Sequence, residues 1–319
     1  MRFTHHDHIK VRLRSWYLFY KFVKHVRLYV GDIAETAIQA LSDLLPIRAE
    51  LSEEPAEDDN DDPSSSESGQ SANARFESQL YLYEAIGCIC SARAIPPEKQ
   101  AVLIRSIVNP LFADLETHLG PAKNGDTRAI LQVHHLIKAL GTLAQGFSDG
   151  MPKNPSTAAP APPDIISEEF AQVAEAVLVA LQRLRSSLDI REASRSAFAR
   201  LVAPVGSRIL PQLPRWIDGL LSETSTKDEM AMLLNPLVQV VFRFKSEIYD
   251  VLNTLLAPLL QRVFAGIAEP VTGTDDEIQH VELKREYLNF LLRILENGLE
   301  SVLVSECKWL PCVVTQGFF

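Results

Sequence analysis

The 319-residue sequence lacks the features that define secreted, membrane and metal-binding proteins. Its four cysteines are Cys88 and Cys90, inside an apolar run, and Cys307 and Cys312, near the end; no pair has the CxxC-type spacing of a metal site. The opening MRFTHHDH contains no apolar signal core, and no window approaches eighteen uninterrupted apolar residues. We therefore expect a soluble intracellular chain in a reducing compartment, without a disulfide framework and without membrane insertion.

Motifs of catalysis are missing too. The sequence contains no GxxxxGKS/T phosphate loop, GxSxG elbow, HExxH or GxGxxG. His5, His6 and His8 form an HHxH cluster that could hold a metal but is more typical of a frayed polar end. The adjacent His134 and His135 should point to different faces, in surface or packing roles. Since no nucleophile has a plausible base, we predict neither an enzyme nor a cofactor.

Charge is distributed unevenly along a chain whose formal net charge is −10. Residues 1–30 contain seven Lys/Arg and one Asp, whereas residues 49–74 contain nine Asp/Glu and no Lys/Arg. A basic patch on an acidic protein confines the attraction for anions to one surface. The composition therefore argues against a surface that coats nucleic acid uniformly and favours one basic face.

Apolar residues recur at helical spacing through most of the chain, and no segment shows convincing strand alternation, which predicts an all-α protein. Hairpin-like units recur about every 40 to 50 residues, the spacing of HEAT and armadillo units. Prolines inside predicted helices, at 110, 236 and 258, would be tolerated as kinks in a curved array. We therefore expect a HEAT-repeat-like superhelical solenoid of antiparallel helix pairs. Three predicted segments are helical: a first helix pair over 1–48, helices over 75–148 and helices over 166–304. The second helix of the first pair is predicted to end at Pro46, and the last helix of the chain is predicted over 277–304. The other segments are an acidic disordered insertion over 49–74, a Pro/Ala-rich linker over 149–165 and an atypical tail over 305–319.

The most informative stretch is Val11–Val30, because as a helix it has two apolar faces. One face holds Val11, Leu18, Phe19, Phe22, Val26 and Tyr29, and the roughly opposite face holds Leu13, Trp16, Tyr20 and Val23. Such a helix should pack both on its hairpin partner and on a neighbouring unit, as stacked repeats require. Between the faces runs a basic stripe that is left to face a partner. This basic stripe consists of Lys10, Arg14, Tyr17, Lys21 and Lys24.

Several separated segments resemble, in the same order, the exportin-T family, the tRNA nuclear exporters of the importin-β superfamily. VRLRSWYLFYKFVKHVR is similar to the family helix R-x-R-x-x-Y/W-L-F-x-x-F-V-K, with matches at Arg12, Arg14, Leu18, Phe19, Phe22, Val23 and Lys24. QLYLYEAIG is similar to L-F/Y-x-Y-E-x-x-G, with matches at Tyr83, Glu84, Ala85 and Gly87. The similarity continues through IPPEKQ, ILPQLP and KREYLNFLLRIL to about Val304.

The family chain is roughly three times longer, so the resemblance implies a fragment from its middle to C-terminal part. That fragment would lack the amino-terminal arch that makes much of the Ran contact. The tail from Glu306, ECKWLPCVVTQGFF, does not resemble the family and is what a truncated or misjoined gene model would produce.

What the resemblance implies is a carrier that wraps tRNA with the inner surface of its solenoid and contacts mainly backbone and shape. It would bind tRNA cooperatively with RanGTP, contact nuclear pore proteins, and shuttle between nucleus and cytoplasm. Basic side chains would contact phosphates with salt-dependent affinity. The predicted nucleic-acid-binding residues are Lys10, Arg12, Arg14, Lys21, Lys24 and Arg27, with Lys284 and Arg285 as a second, weaker site. Two alternatives stay open: a generic HEAT-repeat scaffold that binds proteins and has no RNA cargo, and a helical domain accessory to an enzyme.

Overall fold

The computed structural model describes residues 2–51, 72–149, 161–221 and 225–305, and within these ranges the chain is helical, with no strand. The predicted all-α class is therefore confirmed. The chain divides into two units at Gly206 and Ser207, and each unit has a core of its own.

Three of the predicted segments lie largely or wholly outside the described residues. They are the acidic insertion, the Pro/Ala-rich linker and the tail, which also contains Cys307 and Cys312. The boundaries assigned to these segments stay a prediction.

The first unit, Met1–Gly206, is a stack of antiparallel helix pairs. Its helices are α1 (Ile9–Val26), α2 (Ala34–Gln39), α3 (Ala72–Cys90), α4 (Pro97–Lys123), α5 (Thr127–Asp149), α6 (Asp164–Arg183) and α7 (Leu188–Val205). In one layer α1, α3, α5 and α7 are successive neighbours, and in a second layer α4 and α6 pack on each other and on α5 and α7. Within this unit the helices follow the arrangement predicted for a HEAT-type array.

Helix α5 lies at the centre of the first unit, between α3, α4 and α7. Every residue from Ala139 to Ala144 is buried, because a helix enclosed by neighbours on several sides needs small or apolar residues all round. On α3, Cys88 and Cys90 are buried as predicted, and burial raises the pKa of both thiols to about 12. These cysteines therefore serve as small core residues.

Two glycines let α3 and α5 cross at close range. A Cβ atom on Gly146 of α5 would overlap the backbone carbonyl of Glu84, and one on Gly87 of α3 would overlap the carbonyl of Leu143. Only glycine leaves room for backbone against backbone at such a crossing. The crossing brings Glu84 of α3 next to the carboxyl end of α5, where Asp149 lies.

The prediction that the second helix continues to Pro46 is wrong, because the helix is shorter. The chain there forms a 3₁₀ turn over Gly31–Ile33, the six-residue α2, and another 3₁₀ turn over Ser42–Leu44. The carbonyls of Leu44, Leu45 and Pro46 accept hydrogen bonds from the Gln79 amide of α3, at 2.7, 3.2 and 3.1 Å. The carbonyl of Leu45 also accepts one from the Tyr83 hydroxyl, at 2.7 Å. Side chains of α3 thus satisfy the carbonyls at the expected end of this helix.

The second unit, from Ser207 onwards, packs around a fully buried Trp216 and the facing sides of two long helices. Its helices are α8 (Leu213–Leu220), α9 (Lys227–Phe244), α10 (Tyr249–Ala268), α11 (Thr274–Glu296) and α12 (Glu300–Ser305). Helix α9 packs extensively on α11 and begins with a reciprocal cap between Thr226 and Glu229. Pro236 and Pro258 lie inside α9 and α10 as predicted, as does Pro110 inside α4.

The single helix predicted over 277–304 is wrong, because α11 and α12 are separate helices. Gly298 has φ 70°, which ends the right-handed helix at its carboxyl end as glycine commonly does. By length and mean hydropathy, 1.4, the stretch Lys227–Ala268 is apolar enough to cross a membrane, which core helices of soluble proteins also are. In the structure this stretch is not one helix, since a 3₁₀ turn with Lys245 at φ 48° separates α9 from α10.

Candidate nucleic-acid interface

Helix α1 buries one of its two predicted apolar faces. Leu13, Trp16, Tyr20 and Val23 are buried, against α3 and the 3₁₀ segment Arg2–His5. The Trp16 indole donates to the Thr4 carbonyl at 3.0 Å, and Thr4 itself is buried. The interpretation of the amino-terminal histidines as a frayed end is therefore wrong, because this hydrogen bond ties the segment before α1 to the helix.

The other apolar face of α1 is exposed. Leu18 and Phe22 are 53% and 61% exposed, and with Phe3 and Val11 they border a shallow groove of about 600 Å³. No element of the described part of the chain covers this face. The expectation that it packs on a neighbouring unit is therefore not met within the described residues.

The basic stripe lies along the side of α1 between these two faces, and three of its cations, Arg14, Lys21 and Lys24, lie over tyrosine rings. The Arg14 guanidinium carbon is 5.1 Å from the centroid of the Tyr17 ring, and the Lys21 amine is 5.5 Å from the same centroid. Tyr17 in turn meets Tyr81 of α3 edge to face, with centroids 5.2 Å apart. Such cation–π contacts orient the long side chains without neutralising their charge. Lys10, Arg14 and Lys21 are all exposed.

Lys24, the fourth cation of the stripe, is held in an internal network instead. Its amine donates to Asp149 of α5 at 2.6 Å and to the Tyr20 hydroxyl at 3.0 Å. The Tyr20 hydroxyl donates to Glu84 at 2.8 Å, and Arg27 donates to the backbone carbonyl of Asp149. These contacts tie α1 to α3 and α5.

The contacts and the burial of this network raise the pKa values of Lys24 and Tyr20. The hydrogen bond to Asp149, whose side chain is only 8% exposed, raises the pKa of Lys24. Burial is the main cause that raises the pKa of Tyr20. A charged Lys24 thus lies against a carboxylate that is almost completely buried. This contact competes with any contact of Lys24 to phosphate.

Arg12, which does not belong to the basic stripe, lines a separate polar cleft of about 420 Å³. The cleft lies between α1, the irregular stretch after α2, and the first turns of α3. Two further arginines, Arg48 and Arg75, line it as well, and sequence reasoning missed both. The available signal was the alternation of buried Ile47 and Ala49 with exposed Arg48, which a search for helical spacing ignores.

The second predicted site, Lys284 and Arg285, lies on α11 in the second unit. The Arg285 guanidinium donates to Glu282 and Glu286, at 3.3 Å to the latter. Two carboxylates on the same helix therefore surround the Arg285 charge. Lys284 is exposed.

The structure also shows what the histidines of the two sequence clusters contact. Within the described ranges, no group of three or more His, Cys, Asp or Glu side chains could hold a metal ion. His5 contacts Asp43 at 3.1 Å. The expectation that His134 and His135 point to different faces is wrong, because their Nδ1 atoms are 3.1 Å apart. Burial lowers the pKa of His135 to about 4, and its ring stacks on Phe76 with centroids 3.6 Å apart.

Comparison with known proteins gives one consistent result. The family model described as Exportin-T matches residues 1–309. The chain is 58% identical over 307 residues to Exportin-T of Aspergillus oryzae, an alignment that covers 96% of this chain and 30% of the relative. It is 57% identical over 319 residues to Exportin-T of Pyricularia oryzae, covering 100% of this chain and 30% of the relative. This alignment includes the tail from Glu306, so the expectation that the tail does not resemble the family is wrong. The chain thus spans about 30% of the length of these curated relatives.

Proposed function

Because this chain belongs to the exportin-T family, we propose that it forms part of a nuclear export receptor that carries tRNA to the cytoplasm. The family is one of transport receptors and not a known enzyme family. Since the chain spans about 30% of its relatives, cargo binding and transport are proposed for the longer receptor, to which this chain contributes one basic surface.

One observation carries the assignment of that surface, namely the exposed cations Lys10, Arg14 and Lys21 on one side of α1. From Lys10 to Lys21 the helix rises about 16 Å, which is long enough to follow more than one phosphate of an RNA backbone. Exposed Lys and Arg recognise phosphates by charge and hydrogen bonding, independent of base sequence. This form of recognition suits a cargo that is read by its backbone and shape.

RanGTP would be the second partner of the receptor. If tRNA and RanGTP both stabilise one curvature of a stacked helical array, each increases the affinity for the other. Contacts with nuclear pore proteins and shuttling between nucleus and cytoplasm complete the proposal.

The test is tRNA binding across a salt series, with and without RanGTP, by the wild-type chain and by the variant Lys10→Glu, Arg14→Glu, Lys21→Glu. If each cation contacts one phosphate, the variant should lose most of its affinity. The slope of log K against log salt should also fall in magnitude by about 2 to 3.

A matched control carries the same change of charge elsewhere on the first unit. Arg93, Lys123 and Arg183 are exposed, and the variant with Glu at all three should keep the wild-type slope apart from a small long-range effect. Equal binding by the stripe variant and the control would remove the stripe from the interface. Absence of binding by the wild-type chain would contradict cargo binding by this part of the receptor.

A second candidate function is a protein-binding scaffold with no RNA cargo, and the exposed apolar face of α1 favours it. Val11, Leu18 and Phe22 lie beside the stripe, a combination suited to an amphipathic acidic helix. Competition separates the two functions. If an acidic amphipathic peptide binds the chain and tRNA neither binds nor displaces it, the scaffold function is supported.

A further inference from the structure

We propose that the cleft lined by Arg12, Arg48 and Arg75 is an anion site that takes a phosphate group. This proposal rests on the proposed function in one respect, since the phosphate expected there in the longer receptor belongs to the RNA backbone. The cleft is separate from the basic stripe, because Arg12 and Arg14 project about 200° apart around α1.

The guanidinium groups of the cleft have more donors than the surrounding protein uses. Arg12 donates to the His6 carbonyl at 3.2 Å, which occupies one of its five N–H groups. Neither Arg12 nor Arg48 has a carboxylate within ion-pair distance among the described residues. A planar guanidinium with free N–H groups matches the oxygens of a phosphate.

The acidic residues of the cleft already have partners. Asp43 lies 3.1 Å from the His5 ring, and Glu50 lies 3.5 Å from Arg75. The Arg75–Glu50 contact is long, and both side chains are 52% exposed, so it holds Arg75 weakly. Counting His5 as neutral, the lining keeps an excess of positive charge. Phosphate is therefore favoured over a cationic or neutral ligand.

The backbone that positions Arg48 is fixed by buried hydrogen bonds. The Gln132 side chain accepts from the Ala49 amide at 2.7 Å and donates to the Ile47 carbonyl at 2.9 Å. Arg128 donates to the Ala49 carbonyl at 3.2 Å. The residues on both sides of Arg48 are thus clamped to α5, and Arg48 projects from a rigid support. Such pre-organisation reduces the entropy that binding a ligand must overcome.

The size of the cleft agrees with this interpretation. Its volume of about 420 Å³ falls in the range of small-ligand sites. Trp16 contributes the apolar side of the cleft, and the indole N–H is already used by Thr4. The free donors of the site therefore come from the arginines.

Two measurements test the proposal. The first compares tRNA binding over a salt series by wild type, Arg48→Gln/Arg75→Gln and the control Arg93→Gln, an exposed arginine outside the cleft. Loss of two phosphate contacts should reduce the salt slope by about 1.5, while the control keeps the wild-type slope. The conservative variant Arg48→Lys/Arg75→Lys keeps the charge but loses the fork, so its slope should stay near wild type while its affinity falls.

The second measurement does not depend on tRNA binding. Phenylglyoxal modifies accessible arginines, and mass spectrometry maps the modified sites with and without inorganic phosphate, a short RNA oligonucleotide or an acidic peptide. Protection of Arg48 and Arg75 but not of Arg93 supports the anion site, and the oligonucleotide arm shows whether RNA phosphate is accepted.

Failure of the inference and failure of the proposed function give different results. If wild type binds tRNA but the Arg48→Gln/Arg75→Gln variant binds with unchanged affinity and slope, the cleft proposal is overturned and tRNA binding stands. If wild type binds no tRNA, the proposed function fails, and phosphate protection still decides whether the cleft is an anion site. Protection by an acidic peptide alone, without protection by phosphate or oligonucleotide, overturns the proposal.

Discussion

At the scale of single residues, neighbouring cations of α1 have different tasks. Lys21 is exposed and rests on tyrosine rings, whereas Lys24 is bound to Asp149 across 125 positions of sequence. A helical wheel places both on one stripe, because it contains no information about α5. The sequence therefore predicted the stripe but not which of its members is occupied by an internal carboxylate.

This difference predicts a separation of stability from binding. Lys24→Met removes the ion pair to the buried Asp149 carboxylate, so the free energy of unfolding should fall by about 1–2 kcal/mol, less than for a fully buried pair because the Lys24 side chain is 39% exposed. Lys21→Met removes only an exposed cation and should change stability by less than about 0.5 kcal/mol. Urea unfolding measures both. Adding Asp149→Asn to Lys24→Met should recover part of the loss, and an unchanged double variant would contradict the pairing.

The buried His135 predicts a second residue-scale effect, on pH. In the folded chain the pKa of His135 is about 4, mainly because the ring is buried, against about 6.5 when unfolded. Between these values the unfolded state binds more protons, so the free energy of unfolding should decline as pH falls from 6.5 towards 4. His135→Gln should reduce this decline, although His134, whose pKa burial also lowers, contributes to what remains.

The control for this measurement is His25→Gln, which removes one exposed histidine from α1. Its pH series, measured in parallel, shows how much the loss of a histidine outside the core changes the dependence. A His135→Gln variant with the full wild-type dependence would show that other groups cause the decline.

At the scale of elements, the α3–α5 crossing explains a motif that the sequence could only match by pattern. In the stretch YEAIG, Tyr83 donates to the chain before α3, Glu84 accepts from Tyr20, and Gly87 allows the close approach of α5. Glu84 and Gly87 thus belong to one junction of α1, α3 and α5, whereas Tyr83 holds the segment that follows α2.

This junction predicts a contrast between two glycines in helices. Gly146→Ala would drive a methyl group into the Glu84 carbonyl, so the free energy of unfolding should fall by about 1–3 kcal/mol. Gly120→Ala on α4 meets nothing within 4 Å and should change stability by less than about 1 kcal/mol. Thermal or urea unfolding distinguishes the two. Equal effects would mean that helix propensity, not the close crossing, determines the response.

Helical periodicity predicted the long helices well and their interruptions badly. The helices from α3 to α7 and α9 to α11 carry their own apolar faces, which local spacing reveals. The predicted second helix was too long, and the carbonyls at its expected end are bound by Gln79 and Tyr83, more than thirty positions away. Arg48 and Arg75 were missed for a related reason. Their cleft exists only where three separate segments meet, and no local pattern records that.

At the scale of the whole molecule, the two units differ in what they offer to an anion. The first unit contains the exposed cations of the stripe and the arginine cleft, whereas in the second unit Arg285 already binds two glutamates. We therefore expect the second predicted site, on α11, to bind phosphate more weakly than α1. The net charge of −10 makes this asymmetry important, because long-range repulsion opposes binding wherever no basic patch offsets it.

We accordingly predict that RNA binding resides in the first unit. Lys284→Gln/Arg285→Gln in the full chain should leave tRNA affinity within about twofold of wild type and the salt slope nearly unchanged, because Glu282 and Glu286 already bind the Arg285 guanidinium. The stripe variant should lose most of its binding under the same conditions. Filter binding or fluorescence anisotropy at several salt concentrations measures both. Because the two variants alter different units, a large loss from the α11 substitutions would show that phosphate contacts extend into the second unit, and the interface would then have to include α11.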